Sequence, residues 1–460
     1  MEWRRLAVLA FPGLVFAIAF AGAVGTEMPG ASLAAQSITL PYDPGVRGGD
    51  PGAGGPIDGL TMGQNRFFDA GQEEFAEADP VDEGLGPRFN LDSCGGCHSQ
   101  PAIGGTSPEI NPEIVAATDA GAQNQIPFFL RPRGPAREVR YKYKADGVTR
   151  DGGVHNLFVI TGRSDAPIDC QISQEDFAAE AHRDNLIFRI PTPTFGLGLV
   201  EAIPDYVIDR DLRTNSAAKQ DMGITGRLNR NGNDGTITRF GWKAQNESLL
   251  MFSGEAYNVE MGISNELFQS ERDETGACHT VPVPNSVADL EAEDPVDATS
   301  AIEKFTDFMR FLAPPRPSQT LPGGETSITS GRALFRSTGC ALCHTPTLRT
   351  GNSPIEALRD KPVHLFSDLA LHKMGPGLAD DIIQGGALPD EFRTAPLWGL
   401  GQRLFFLHDG RTSNLLVAIR AHRSAASADF RGSEANRVIS LFNDLPAEQQ
   451  QDILNFLRSL

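Results

Sequence analysis

The chain has 460 residues with a formal net charge of -19 and a pI near 4.9. That length allows two or three domains around a sizeable core. The acidic balance argues against nucleic acid and anionic membrane surfaces as partners.

Trp3-Arg4-Arg5 followed by the apolar run Leu6 to Val24 reads as a secretory signal within residues 1–35. Ala21-Gly22-Ala23 and Ser32-Leu33-Ala34 both suit cleavage, which puts the mature protein in the periplasm. Left uncleaved, the same run would serve as a membrane anchor. Residues 36–57, rich in Gly, Pro and Asp, read as a flexible leader, and Leu60 to Phe75 carries apolar residues at helical spacing.

One short pattern then occurs twice, as Cys94-Gly95-Gly96-Cys97-His98 and as Cys340-Ala341-Leu342-Cys343-His344. Cys-x-x-Cys-His is the spacing of c-type haem attachment. Two thiols add to the haem vinyl groups, and the adjacent histidine becomes the proximal axial ligand. The expected cofactors are two covalently bound c-type haems on Cys94, Cys97 and His98, and on Cys340, Cys343 and His344. A zinc site would need two further ligands nearby, and a thioredoxin-type pair a βαβ setting; neither is evident. Cys170 and Cys278 are left over, and in an oxidising compartment an even remainder predicts a disulfide between them.

Between about 107 and 185 the character changes. Arg137 to Lys144 alternates charged and apolar residues, and Leu157 to Thr161 is apolar and β-branched, so both read as strands of an inserted hairpin or small sheet. Haem-domain character returns over 186–270. There Phe195 to Glu201 opens a helix, Arg239-Phe240-Gly241-Trp242-Lys243 precedes another, and Val259-Glu260-Met261-Gly262 follows. Ala301 to Leu312 forms an amphipathic helix. The Pro/Gly-rich segment 314–329 reads as a linker between an N-terminal haem domain (58–313) and a C-terminal one (330–460). Ser330 begins the helix into Cys340, and Pro446 opens the closing helix, whose apolar side is Ile453, Leu454, Phe456, Leu457 and Leu460.

A set of segments carries a family resemblance. In the first half they are Gly86-Pro87-Arg88-Phe89-Asn90 with the first haem motif, Gly196 to Ile203, and Arg239 to Ala244. In the second they are Leu371-His372-Lys373-Met374-Gly375, Arg393 to Gly399, and Leu407-His408-Asp409-Gly410-Arg411. The chain resembles the bacterial di-haem oxidoreductase family, also labelled thiol oxidoreductases. It is more distantly similar to the bacterial di-haem cytochrome c peroxidases over roughly 58–105, 186–270 and 325–460. The resemblance implies a mainly α fold of two cytochrome c-like haem domains, with a small β-containing insertion in the N-terminal half.

It also implies an oxidoreductase of peroxidase type. Electrons from a small donor protein, a cytochrome c or a cupredoxin, enter at the C-terminal haem and reduce hydrogen peroxide at the N-terminal haem. His422 lies 14 residues past His408 of the His-Asp-Gly motif, where the family places the sixth ligand of the C-terminal haem. Met374 is the alternative, and His364, His372 and His408 complete the candidates. Glu260, 18 residues after Trp242, matches the acid–base glutamate over the N-terminal iron, and Trp242 the residue between the haems. His155, His182 and His279 are further possible ligands of the N-terminal haem. The resemblance also brings calcium, held partly by carbonyls of Thr394-Ala395-Pro396. Two rival readings remain, a di-haem carrier that only transfers electrons and an oxidase that modifies a partner protein. The thiol label finds no support, because all six cysteines have other uses.

Overall fold

In the computed structural model, which describes residues 40–460, helix α1 (Met62–Ala76) begins where the apolar spacing predicts. A capping box starts it, the Thr61 hydroxyl accepting the Gln64 N–H and the Gln64 side-chain Oε1 accepting the Thr61 N–H. The other longer helices are α2 (Asp205–Arg213), α3 (Leu249–Met261), α4 (Ala301–Phe311), α5 (Gly324–Ser337), α6 (Asn436–Asp444) and α7 (Ala447–Ser459). None of the described helices is long and apolar enough to cross a membrane. The predicted signal segment lies outside the described residues.

Two helix pairs frame the molecule, α1 against α4 and α5 against α7. Both cross at a glycine, for the same reason. A Cβ on Gly71 would collide with the Lys304 carbonyl oxygen, and one on Gly331 with that of Asp452. Phe68, Phe75, Phe305 and Phe308 fill the first core, and Phe335, Phe442, Leu454 and Phe456 the second.

Helices dominate the regular structure, and the strands make only small sheets. Strands β1 (Arg88–Phe89), β2 (Glu138–Tyr141), β3 (Val154–His155), β4 (Phe158–Val159) and β5 (Leu186–Arg189) form two antiparallel groups, β3-β2-β5 and β1-β4. The expected strands are present, but the sheets reach beyond 107–185: β2 pairs with β5 and β4 with β1. The apolar members Val139 and Tyr141 of β2 turn into the core, so Glu138 and Arg140 point to the opposite face.

Cys170 and Cys278 form the predicted disulfide, closing a separation of 108 residues. Replacing both by serine should cost about 2–5 kcal/mol, because the unfolded chain regains that loop freedom. Urea denaturation checks it; an unchanged midpoint would mean that packing alone holds the loop.

Two expectations need correction. Residues 40–57 are not a free leader but a docked strap. Asp43 holds Arg458 of α7 through two 2.7 Å bonds, with side chains 7% and 1% exposed. The Arg47 N–H donates to the Gly401 carbonyl and the Ile57 N–H to that of Phe311. The physical reason is Arg458: without an anion its guanidinium would be a buried unpaired charge. The segment 314–329 is also not linker throughout. Helix α5 starts at Gly324, and Ser327 and Ser330 both bond Asp452 of α7.

Candidate functional site

The first cavity, about 160 Å³, is built around the helical turn Cys94–Cys97. Ser93 caps this turn by accepting the Gly96 N–H. Cys94, Cys97 and His98 all line the cavity. His98 Nδ1 lies 2.9 Å from the Gly105 carbonyl oxygen. A carbonyl only accepts, so Nδ1 carries the proton and Nε2 keeps its lone pair. Burial lowers the His98 pKa and keeps the ring neutral, the state a metal ligand needs.

Glu260 sits in the last turn of α3 and lines the same cavity. The first turn of α3 is pinned by Ser248, which caps Met251, and by Glu201, which accepts the Leu249 N–H and the Arg310 guanidinium. Asn90 Nδ2 donates to Glu260 at 2.6 Å. Burial, then the neighbouring charge of Glu138, pushes the Glu260 pKa well above the ordinary carboxyl range. Burial opposes ionisation of Glu138 too, but Arg140 and Arg189 outweigh it and hold its pKa below the ordinary value.

The second cavity, about 220 Å³ and mostly apolar, is lined by Cys340, Cys343, His344, Met374, His408 and His422, among others. His344 Nδ1 donates to the Phe366 carbonyl (3.0 Å) and His422 Nδ1 to the Ala418 carbonyl (2.8 Å). Both rings are therefore oriented with Nε2 unprotonated. Burial, helped by the nearby His422, lowers His344 to about 4, and burial lowers His422. Met374 lines the same cavity, so both candidate sixth ligands share it with His344.

Trp242 lines both cavities. Its Nε1–H donates to the Ile190 carbonyl at 2.9 Å. On the far side it meets His408 edge-on at 6.4 Å, and His408 stacks on Phe392 at 4.3 Å. The next residue, Lys243, is fully buried on Asp380 at 2.9 Å, and Asp380 also holds Arg189 at 2.8 Å.

These residues fit two haems. Four buried polar atoms without a protein partner line the first cavity: Glu113 Oε2, Arg137 Nε, Arg189 Nε and Gln245 Oε1. Burial raises Glu113 to about 8, so it is a hydrogen-bond donor at neutral pH. In the second cavity Arg393 and Arg403 are both buried, and their pKa values fall to about 10 with no acid offsetting the burial. Cations and donors of this kind suit the propionates of a haem. The four cysteines are unpaired, and burial raises the thiols of Cys94 and Cys97 and pushes Cys340 up to about 11, against thiolate chemistry.

Other candidates fall elsewhere. His155 stacks on Tyr141, His279 bonds the Asp273 carbonyl, and His182 is exposed; none lines the first cavity. His364 is exposed and bonds Thr347. His372 lines the second cavity and, with Cys343 and Asp368, forms a metal-sized group. Its two ring nitrogens face Asp368 (3.0 Å) and Glu434 (2.9 Å), however. Burial opposes its charge, but the surrounding anionic groups raise its pKa well above the ordinary value, so it offers no lone pair. The calcium segment does not fit either: the Thr394 carbonyl accepts the Ser367 hydroxyl at 2.6 Å, with the Arg393 guanidinium beside it. Glu138, Arg137, Glu113 and Arg140 were not expected at the site. The one signal for Arg137, Glu138 and Arg140 was the charged half of the alternation over Arg137 to Lys144, and Glu113, at the start of the helical turn Glu113–Ala116, left none.

A family model described as "Di-haem oxidoreductase, putative peroxidase" matches residues 129–460. No curated protein matches the chain. Hydrazine synthase of Kuenenia stuttgartiensis is 13% identical over 96% of this chain and 100% of that chain, with a TM-score of 0.35. The diheme peroxidase BthA of Burkholderia thailandensis E264 is 15% identical over 92% and 94%, with a TM-score of 0.31. A MauG-like protein associated with microbial copper homeostasis is 16% identical over 56% and 89%, with a TM-score of 0.28.

Proposed function

The chain belongs to the di-haem oxidoreductase family, and from that premise we propose that it is a periplasmic peroxidase-type enzyme with two c-type haems in cytochrome c-like domains. In this reading Cys94 and Cys97 tether one haem and Cys340 and Cys343 the other. His98 and His344 supply the proximal nitrogens, and His422 the sixth ligand in the second cavity. When bound, the haems would supply one-electron redox chemistry and, in the first cavity, the iron at which peroxide is reduced.

The chain's own residues do the rest. His422, its Nδ1 donating to the Ala418 carbonyl, would hold the second haem from within its cavity and suit it to electron transfer. Trp242 bridges the two cavities, and its indole is held by Ile190. Glu260 gives its proton to the departing peroxide oxygen and is reprotonated afterwards. Its buried surroundings and raised pKa suit an acid that still carries a proton at neutral pH. The net charge of -19 would steer a small basic donor protein toward the surface.

The observation that carries the reading is that one side chain, Trp242, lines both cavities. Trp242→Phe should keep two haems per chain and the spectrum of each, while donor-driven peroxide turnover slows. Unchanged turnover would take Trp242 off the electron path. A wild-type protein that passes electrons but reduces no peroxide would favour the carrier reading.

A further inference from the structure

Besides Glu113, the cavity that holds His98 and Glu260 contains a further carboxyl, Glu138, supplied by the sheet rather than by the helices. It is the first residue of β2, on the same face as Arg140. Both carboxyls line the one cavity, close enough that each weighs on the charge of the other. Two carboxylates so placed do not both ionise at neutral pH; one proton held by the pair removes the repulsion.

The surroundings decide which of the two keeps that proton. The charged groups facing the pair are Arg140 on β2, Arg189 on β5, Arg272 beyond α3 and Glu255 on α3, with Arg137 and Glu113 on the cavity wall. Arg140 Nε donates directly to Glu138, and Arg189 is the next cation. Glu260 receives only a neutral donor, Asn90 Nδ2. That amide has one orientation, because its Oδ1 accepts the Leu157 N–H at 2.9 Å.

We infer that Glu138 and Glu260 form a carboxyl dyad that holds one proton, with Glu138 the ionised positioning residue and Glu260 the catalytic acid that presents the proton to the cavity. The inference deepens the peroxidase reading and rests on it for the substrate alone. In the overall reduction, hydrogen peroxide takes up two electrons and two protons and gives two waters. The electrons come from the reduced donor protein. Glu260 gives one proton to the departing oxygen as the O–O bond breaks, and solvent supplies the other through the refilled pair.

The test compares wild type, Glu138→Gln and Glu260→Gln as oxidised holoproteins by infrared difference spectroscopy across pH. Wild type should show a protonated carboxyl band at neutral pH that Glu260→Gln removes. In Glu138→Gln that band should titrate about one pH unit lower or more, because the neighbouring negative charge is gone. The alkaline limb of peroxide turnover should move down with it. A band that stays in place, or a turnover loss that is uniform across pH, overturns the dyad and leaves Glu138 a structural residue. If the band moves as expected but no variant reduces peroxide, the dyad stands and the substrate reading falls. If Glu138→Gln fails to load haem, Glu138→Asp decides: it retains the charge and should retain the wild-type titration, and a lowered one overturns the dyad.

Discussion

Glu260→Gln should lower peroxide turnover about 10²–10⁴-fold while both haems remain attached, the range for removing a positioned acid–base group. The amide is nearly the same shape. Its oxygen can still accept from Asn90, so α3 has no reason to move. What it lacks is a proton to give. Steady-state turnover with a small redox donor, alongside a haem count per chain, measures both halves of the expectation. A loss smaller than about tenfold with full haem content would mean that Glu260 is not the acid.

The second large effect concerns stability. Asp43→Ala should destabilise the fold by about 3–5 kcal/mol, the cost of stranding one member of a buried pair. Arg458 would keep only the Leu400 and Arg403 carbonyls, with no anion, and the Leu415 N–H would lose its acceptor. Burial raises the Asp43 pKa, but the bonds from Arg458, Leu415 and Gly45 overcome this and hold it below its ordinary value. A depressed folded-state pKa stabilises above the unfolded value and loses that contribution as pH falls through the folded one. The gap between wild type and Asp43→Ala should therefore be full at neutral pH and shrink below about pH 4. Urea midpoints at two pH values read it. A gap that is absent at neutral pH would mean that the strap is not held by this pair.

Local chemistry was legible in the sequence, and long-range pairing was not. Both haem motifs, the helix at 62–76 and the Cys170–Cys278 pair were readable, because spacing, capping and parity act over short stretches or by elimination. Glu260 and Trp242 were found through family spacing, and both line the first cavity. Glu138 was read as the polar half of a strand, since alternation cannot say whether the charged face meets solvent or a cavity. The strap was read as flexible from its Gly and Pro content. Its partner Arg458 lies 415 residues away, where composition carries no information.

The stretch from Ile224 to Lys243 has a wider consequence. By sequence it belongs to the first half, yet Ile224 and Trp242 wall the second cavity. The Gly241 and Trp242 carbonyls accept Arg393, and the Lys243 ammonium neutralises Asp380. The two haem sites are therefore not beads on a string. A fragment cut at the linker would inherit a pocket open on one side and an acid with no counter-charge. Two-centre behaviour here belongs to the joint between the halves. The chain could not be trimmed to a one-haem carrier, or extended by copying the repeat, without rebuilding that shared wall.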